Sequence, residues 1–314
     1  MIPHPWKHPV VVLNRQAGTI AGIGPEKLVE ELREVFAGEG ITDAEVEAVP
    51  GSQIEEALQR ALDGPADVVI IGGGDGTVAS AATLMAGKGK PLGVLPLGTF
   101  NLAARDIGMP LDWKEATLAL IDAPAVDVDL LELGGRLYFC LIILGFYPAL
   151  AMARPKYHGN WLVKSCKLGT EMLSSVAAFP PLHLTFVNEL GFELHRRSRI
   201  VLIANNDYEE LFGLIPRRKS LDAGYFTVYV STHRTRLGLV RSFFTWVLGR
   251  WKQDREVSYF HAADLEISVH GQRRLPVMTD GEISKHRLPL RIILRPKTLR
   301  VLAPRLGGAA SIVT

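Results

Sequence analysis

Two short glycine-bearing segments and one late carboxylate are the places where residue type and spacing in this chain could do chemistry. Gly72-Gly73-Gly74-Asp75-Gly76-Thr77 follows the short apolar run Asp67 to Ile71 and precedes a helix-like stretch, Val78 to Met85. Glycines let a backbone come close to phosphate oxygens, and a helix N-terminus supplies unpaired amides and a partial positive charge. The segment therefore predicts a phosphate site. The Gly-Lys-Ser/Thr ending of a Walker A loop is missing, and Thr77 stands where a dinucleotide fingerprint would want a small apolar residue. Asp75 departs from both patterns. A carboxylate beside a polyphosphate is repelled unless a divalent cation lies between them, or unless it holds a water or a neighbouring donor.

The second segment, Pro96-Leu97-Gly98-Thr99-Phe100-Asn101-Leu102-Ala103-Ala104-Arg105, follows the next strand-like run, Pro91 to Leu95. Loops at the carboxyl ends of consecutive parallel strands share one rim of a sheet, where ligands bind in such folds. Thr99 and Asn101 precede a short helix, so helix capping competes with ligand binding for their side chains. Arg105 has either a phosphate or a nearby acid such as Asp106 as its partner. Far downstream, Asp280-Gly281-Glu282 offers a carboxylate at what also reads as an ordinary turn between strands.

These segments need a scaffold, and the first third of the chain alternates strand and helix periods. Val10 to Leu13 reads as a buried strand; Leu28, Leu32, Val35 and Phe36 mark an amphipathic helix opened by Pro25. Asp43 to Val49 alternates like a strand. Ser52 and Glu55 read as a capping box for a helix with Ile54, Leu58, Ala61 and Leu62 on one face. This order predicts an α/β, Rossmann-like domain over residues 1–125 with a parallel sheet and right-handed crossovers. Beyond it the texture is strand-like: Val126 to Leu133, Leu137 to Leu144, Leu182 to Asn188, Ile200 to Ala204, Tyr225 to Val230, Leu265 to Val269 and Leu288 to Leu294. That predicts a mainly β, antiparallel domain over 126–295, with Lys297 to Ala303 as a further strand.

Composition narrows the class. A chain of 314 residues with 47% hydrophobic residues can bury two ordinary cores. Cys140 and Cys166 both sit in apolar sequence, which predicts core packing rather than a disulfide framework or a zinc site. The start lacks a secretory pattern, so the expectation is a cytoplasmic protein. Leu137 to Ala153 approaches the length of a membrane span, but Gly145 and Pro148 interrupt it, and a buried strand ending near Gly145 is the expectation. The formal net charge is +2, yet residues 1–153 hold 10 Lys+Arg against 20 Asp+Glu and residues 154–314 hold 25 against 13. Such asymmetry reads either as a nucleic-acid- or membrane-facing second half or as scattered solvated charge. No nucleic-acid module is recognisable there.

In order and spacing, GGGDGT, PLGTFNLAAR and the late Asp280-Gly281-Glu282 resemble the diacylglycerol kinase catalytic-domain family, which includes bacterial lipid kinases and sphingosine kinases. Asn14 to Gly18 resembles that family's first nucleotide loop, and Ser220 to Phe226 its later Asp-Gly turn, so the resemblance runs nearly the whole length. It implies an ATP-binding α/β domain, a β-sandwich-like lipid domain, an active site in the cleft between them, and a C-terminal segment (296–314) returning to the first domain. It places Asn14, Gly72, Gly73, Gly74, Asp75, Gly76, Thr77, Gly98, Thr99 and Asn101 around ATP. Asp280 would be the general base, with Glu282 beside it; Asp75 would serve Mg²⁺, and Asp222 either a structural Mg²⁺ in its turn or the turn itself. Three residues depart from the pattern: Leu102 where many members have Asp, Arg15 in place of a common Pro, and Ala223 in place of a second acid before Gly224.

A lipid substrate calls for a membrane-facing surface. RLGLVRSFFTWVLGRWK (Arg236 to Lys252) reads either as a basic amphipathic helix lying at an anionic bilayer or as a helix packed on the sheet, and Arg154 to Lys164 could add a second basic edge. The expectation is peripheral membrane association. Two alternatives compete: an NAD kinase-like enzyme, which shares a GGDGT loop but differs in the second motif, and a non-catalytic relative, for which Leu102 is the best argument.

Overall fold

The computed structural model describes residues 6–146, 148, 179–210, 218–233, 235, 238, 241, 242, 244, 245, 248–280 and 282–304. By internal contacts it divides into two compact units. The first comprises Met1–Leu130, Arg136–Cys140 and Arg295–Thr314; the second comprises Leu131–Gly135 and Leu141–Leu294.

The first unit begins with β1 (Pro9–Asn14), α1 (Gly18–Ile23), α2 (Pro25–Gly38), β2 (Glu45–Val49) and α3 (Ile54–Asp63). It continues with β3 (Val68–Gly73), α4 (Asp75–Met85), β4 (Leu92–Pro96), α5 (Leu102–Asp106) and α6 (Trp113–Ile121). β5 (Ala125–Leu133) and β6 (Arg136–Tyr138) follow. The parallel order is β2-β1-β3-β4. Val11 to Leu13, Val68 to Ile71 and Leu92 are fully buried. A parallel strand covered on both faces has no polar side to present, which is why these strands read as unbroken apolar runs. On α2 the buried residues are Leu28, Leu32 and Phe36, the stripe that the spacing predicts. The capping box does not form. α3 starts at Ile54 after a 3₁₀ turn over Gly51–Gln53, without a side-chain cap, and the Gly51 N–H ahead of it donates to Gln16 Oε1 at 3.2 Å.

The described residues of the second unit are mainly β and form two antiparallel sheets, with helical residues between 238 and 245 and a 3₁₀ turn at Trp251–Gln253. Its strands are β7 (Leu141–Gly145), β8 (Leu182–Asn188), β9 (Glu193–Ser198), β10 (Ile200–Asn205), β11 (Phe226–Ser231) and β12 (Val257–Ala262). They are followed by β13 (Asp264–Val269), β14 (Arg274–Thr279), β15 (Glu282–Arg287) and β16 (Leu290–Leu302). One sheet runs β12-β11-β10-β7-β14-β15; in the other, β13 lies between β8 and the start of β16, and β9 pairs with β8. The sequence predicts two strands near the end, whereas β16 is one strand of 13 residues. Lys297, at φ 48, interrupts its regularity, and its N–H donates to Asp129 Oδ1 at 2.9 Å. Residues before this point pair antiparallel with β13, and Val301 pairs parallel with Leu92. Conversely, the single predicted strand Leu137 to Leu144 is two, β6 and β7.

Gly145 ends β7 at φ 102, and a Cβ there would lie 2.2 Å from the Arg199 carbonyl oxygen. No helix among the described residues is long and apolar enough to cross a membrane. Cys140 is buried, as core packing requires; Cys166 and the run 154–164 lie outside the described residues. Part of the run 236–252 does too. Of the rest, Phe244 and Leu248 are exposed, while Arg241 is held by Asp254 at 3.0 Å and Glu256 at 3.3 Å. Arg241 is thus the counter-ion of a buried carboxylate and not only a surface charge.

Candidate active site

In the order β2-β1-β3-β4 the chain leaves β1 toward one edge and returns on its other side as β3. The crevice at the carboxyl ends of β1 and β3 is therefore a topological switch point, the place where open α/β sheets bind ligands. Asn14 closes β1 there. Its Nδ2 donates to Thr77 Oγ1 at 3.0 Å, and its Oδ1 accepts the Gln16 N–H at 3.1 Å. The Thr19 N–H donates to the Leu97 carbonyl at 3.3 Å. Three loops of the unit are thus fastened together around one crevice.

The glycines of these loops do different jobs, and none of Gly72, Gly73, Gly74, Gly76 or Gly98 is among the glycines at positive φ. A simple tight turn is therefore not what they serve. A Cβ on Gly72 would lie 2.4 Å from Leu13 Cδ2 and 2.7 Å from Leu97 Cδ1, and one on Gly73 would lie 2.7 Å from the Thr77 Cβ. A Cβ on Gly98 would stand 2.4 Å from the Gly74 Cα, backbone against backbone. Gly74 itself, at φ −86, has the Gly98 Cα at 3.7 Å as its nearest obstacle, an ordinary contact. Packing explains glycine at 72, 73 and 98. It leaves the absence of a side chain at 74 to be explained by something that approaches from outside.

Asp75, the first residue of α4, is 9% exposed, and its Oδ1 accepts the Leu102 N–H at 2.6 Å. The first loop thereby caps the helix of the second, α5. Asn101 does not cap α5 with its side chain. It adopts the left-handed conformation (φ 52, ψ 45) and folds back on its own loop, Oδ1 accepting Gly98 N–H at 2.8 Å and Nδ2 donating to Gly98 O at 3.0 Å. Asparagine is among the residues that tolerate this conformation. Thr99 is exposed, and Arg105 Nε donates to the Phe100 carbonyl at 3.0 Å rather than to an acid. Burial pushes the Asp75 carboxyl above the usual carboxylate range, against the N–H groups of Leu102, Ala103 and Asn101 that pull it down. Side-chain reading could not find the Asp75–Leu102 link, since it uses a main-chain N–H that nearly every residue type carries.

In the second unit, Asp280 follows β14 and is 2% exposed, with φ 43. Its Oδ1 accepts the Leu141 N–H at 2.9 Å while its own N–H donates to the Leu141 carbonyl at 3.1 Å. Both bonds lock the carboxyl onto the start of β7. Glu282 opens β15, exposed, in register with Thr279. Asp280 lies in the turn that ends β14, yet a turn acid that is buried and held by a main-chain N–H differs from an ordinary one. Asp222 is exposed and bonded to Ser220, whose Oγ donates to its Oδ1 at 2.9 Å and accepts its N–H at 3.3 Å.

Among the described residues, one cluster could offer ligand atoms to a metal ion, His233, Asp254 and Glu256, which all lie within 4.8 Å of one another. Arg241 already bridges both carboxylates of that cluster. Burial alone would raise the Asp254 carboxyl, but the Glu256 N–H, His233 and Arg241 outweigh it and hold it below the usual range. The guanidinium supplies the positive charge that an ion would bring, so the cluster is complete without one.

Residues 8–133 match the model of the diacylglycerol kinase catalytic domain, and residues 150–303 match that of the YegS C-terminal NAD kinase beta sandwich-like domain. The chain is 26% identical over 274 residues to a diacylglycerol kinase of Mycobacterium tuberculosis, covering 85% of this chain and 87% of that one. It is 26% identical over 290 residues to a Pseudomonas syringae pv. tomato protein named "Probable lipid kinase YegS-like", covering 90% and 91%. A crystal structure of a diacylglycerol kinase from Bacillus anthracis str. Sterne superposes with a TM-score of 0.70 at 18% identity over 96% of this chain and 98% of that one. Yeast NADH kinase superposes less well, with a TM-score of 0.53 at 11% identity over 95% and 84%, and shares the fold. Two family models that between them span most of the chain, with relatives matched almost end to end, make this protein a kinase of the diacylglycerol kinase catalytic-domain family.

Proposed function

We propose that the chain transfers the γ-phosphate of ATP, with Mg²⁺, to a hydroxyl of a membrane lipid of the diacylglycerol class. The observation that carries this reading is Gly74, a glycine that packing does not require, placed between the amides that open α4 and the loop of Gly98. The loops bind the phosphates through main-chain N–H groups, with Asn14 and Thr77 holding the loop shape. Asp280 takes the proton of the attacking hydroxyl, with Glu282 beside it, and the transfer is in line. Asp75 is the carboxylate that would serve Mg²⁺ at the phosphates, where the ion would neutralise developing charge, and Asp222 would serve a structural Mg²⁺ in its own turn. Leu102 brings an N–H to Asp75 but no carboxylate.

Incubation with ATP labelled at the γ-position, Mg²⁺ and dispersed diacylglycerol should place label in the lipid extract. Label recovered only in NADP when NAD is supplied would favour the NAD kinase-like alternative, and ATP binding without any transfer would favour the non-catalytic one.

Asp75 offers a prediction of its own. Its carboxyl titrates higher in the folded chain than in the unfolded one, so its favourable contribution is complete below the unfolded value and is lost as pH rises through the folded one. Above the folded value the ionised side chain costs stability, as expected of a group kept for function. Asp75→Asn keeps an acceptor for Leu102, so it should melt no lower than wild type at pH 7, with the advantage shrinking in acid. Its turnover should fall by at least about tenfold, the lower range for loss of a charge-positioning group. A variant that melts lower and turns over normally would mean that the carboxylate is only a helix cap.

A further inference from the structure

The turn joining β8 to β9 presents two large apolar side chains to solvent: Leu190 is 74% exposed and Phe192 71%. This is a built turn. Asn188 Oδ1 accepts the N–H groups of both Leu190 and Phe192 at 3.0 Å, the Gly191 N–H donates to the Asn188 carbonyl at 3.0 Å, and Gly191 takes φ 77. The two side chains are therefore held outward by the main chain before any partner arrives. Pre-organised exposure of this kind lowers the ordering cost of binding.

Behind the tip, β9 carries His195, Arg196 and Arg197, all exposed. With His183, Thr185 and His270 they line an open cavity of about 370 Å³. A strand rises about 3.4 Å per residue, so these cations follow Phe192 by roughly 10–17 Å along the strand. An apolar element buries itself roughly 5–10 Å into the boundary of headgroups and acyl chains. Such a depth for the tip leaves the cations at and just above the headgroups, where they feel the negative surface potential. Glu189 and Glu193 flank the tip and oppose this attraction; Glu193 lies 3.6 Å from His195 Nε2.

From this arrangement we infer that the β8–β9 hairpin is a membrane-docking wedge, with Leu190 and Phe192 entering the acyl boundary and Arg196 and Arg197 engaging anionic headgroups. A second copy of the chain fits less well. Among the described residues β9 pairs only with β8, and antiparallel pairing of two β9 edges centred on Arg196 would set Arg196 against itself and His195 against Arg197. The wedge gives the proposed lipid kinase its access to a substrate that stays in the bilayer, and it rests on that reading for its purpose, though not for its test.

The test is sedimentation of the full chain with vesicles of phosphatidylcholine alone and of phosphatidylcholine mixed with phosphatidylglycerol, without ATP. Wild type should bind the mixed vesicles more tightly. Leu190→Ser with Phe192→Ser should weaken binding to both kinds by about tenfold or more. Arg196→Gln with Arg197→Gln should weaken binding to the mixed vesicles alone and flatten its salt dependence. Phe192→Trp should keep binding and shift its emission to the blue on vesicles. Unchanged binding of the Ser pair in a chain with normal circular dichroism would overturn the wedge, as would absence of wild-type binding to either vesicle. A fall in oligomer mass in the Ser pair with vesicle binding intact would make the tip an interface between copies and equally overturn it. Turnover on a short-chain, water-dispersed diacylglycerol separates the two proposals: if wild type docks through the tip but phosphorylates no lipid, only the kinase substrate reading falls.

Discussion

Asp280→Asn is expected to lower turnover by roughly 10²–10⁴-fold, the range for removal of a general base, while leaving ATP affinity nearly unchanged. The substitution keeps both bonds to Leu141. Asparagine keeps an oxygen at the position that accepts the Leu141 N–H, and residue 280 keeps its own N–H for the Leu141 carbonyl. Asparagine also tolerates the positive φ that Asp280 adopts. The carboxylate's charge and its capacity to take a proton are lost. Single-turnover transfer with saturating ATP would read the effect, and a rate near wild type would remove the carboxylate from proton transfer. A large drop in melting temperature would instead assign Asp280 to holding β14 against β7.

Gly98→Ala should be the most damaging single methyl in the first unit. The added carbon would sit 2.4 Å from the Gly74 Cα and 3.0 Å from Asn101 Oδ1. Neither neighbour is the free end of a flexible side chain, because Gly74 is backbone and Asn101 is committed to Gly98 through both of its polar atoms. Relief requires the two loops to separate, which breaks the reach of Asp75 to Leu102 as well. Overpacking of this kind costs roughly 1–3 kcal/mol or more, several degrees of melting temperature. ATP affinity should fall with it, since both loops lose their mutual position. Thermal melts with and without ATP would show both effects; a variant that melts and binds as wild type does would mean that the two loops are not in contact.

What the sequence reveals about this protein follows the depth of burial. β3, its glycine loop and α4 are legible because a strand buried on both faces is a plain apolar run and the glycines stand out against it. β9 (ELHRRS) and β15 (EISKHR) are invisible to the same reading. Both lie at sheet edges, bury little, and carry the charges expected of protected edges, so their composition resembles a loop. β14 is missed for another reason: Pro276 argues against a strand that the structure nevertheless pairs on both sides. At the site, residue identity points to the two loops and to Asp280. It does not reveal that Asn101 braces its own loop, that Asp75 caps α5, or that Arg241 serves Asp254. Each of these depends on a partner distant in sequence or on a main-chain group.

The same logic separates Gly72, Gly73 and Gly98, which packing requires, from Gly74, which it does not, and this gives the sharpest test of the phosphate cradle. Gly74→Ala adds a methyl whose nearest neighbour is at 3.7 Å, at a φ that alanine adopts freely. The measurement is calorimetric titration of this variant with Mg²⁺-ATP, beside its thermal melt. A melting temperature equal to wild type with ATP affinity lower by about tenfold or more, about 1.4 kcal/mol, is the predicted result. An intact fold that binds ATP as tightly as wild type would contradict the account, because no phosphate could then lie against residue 74.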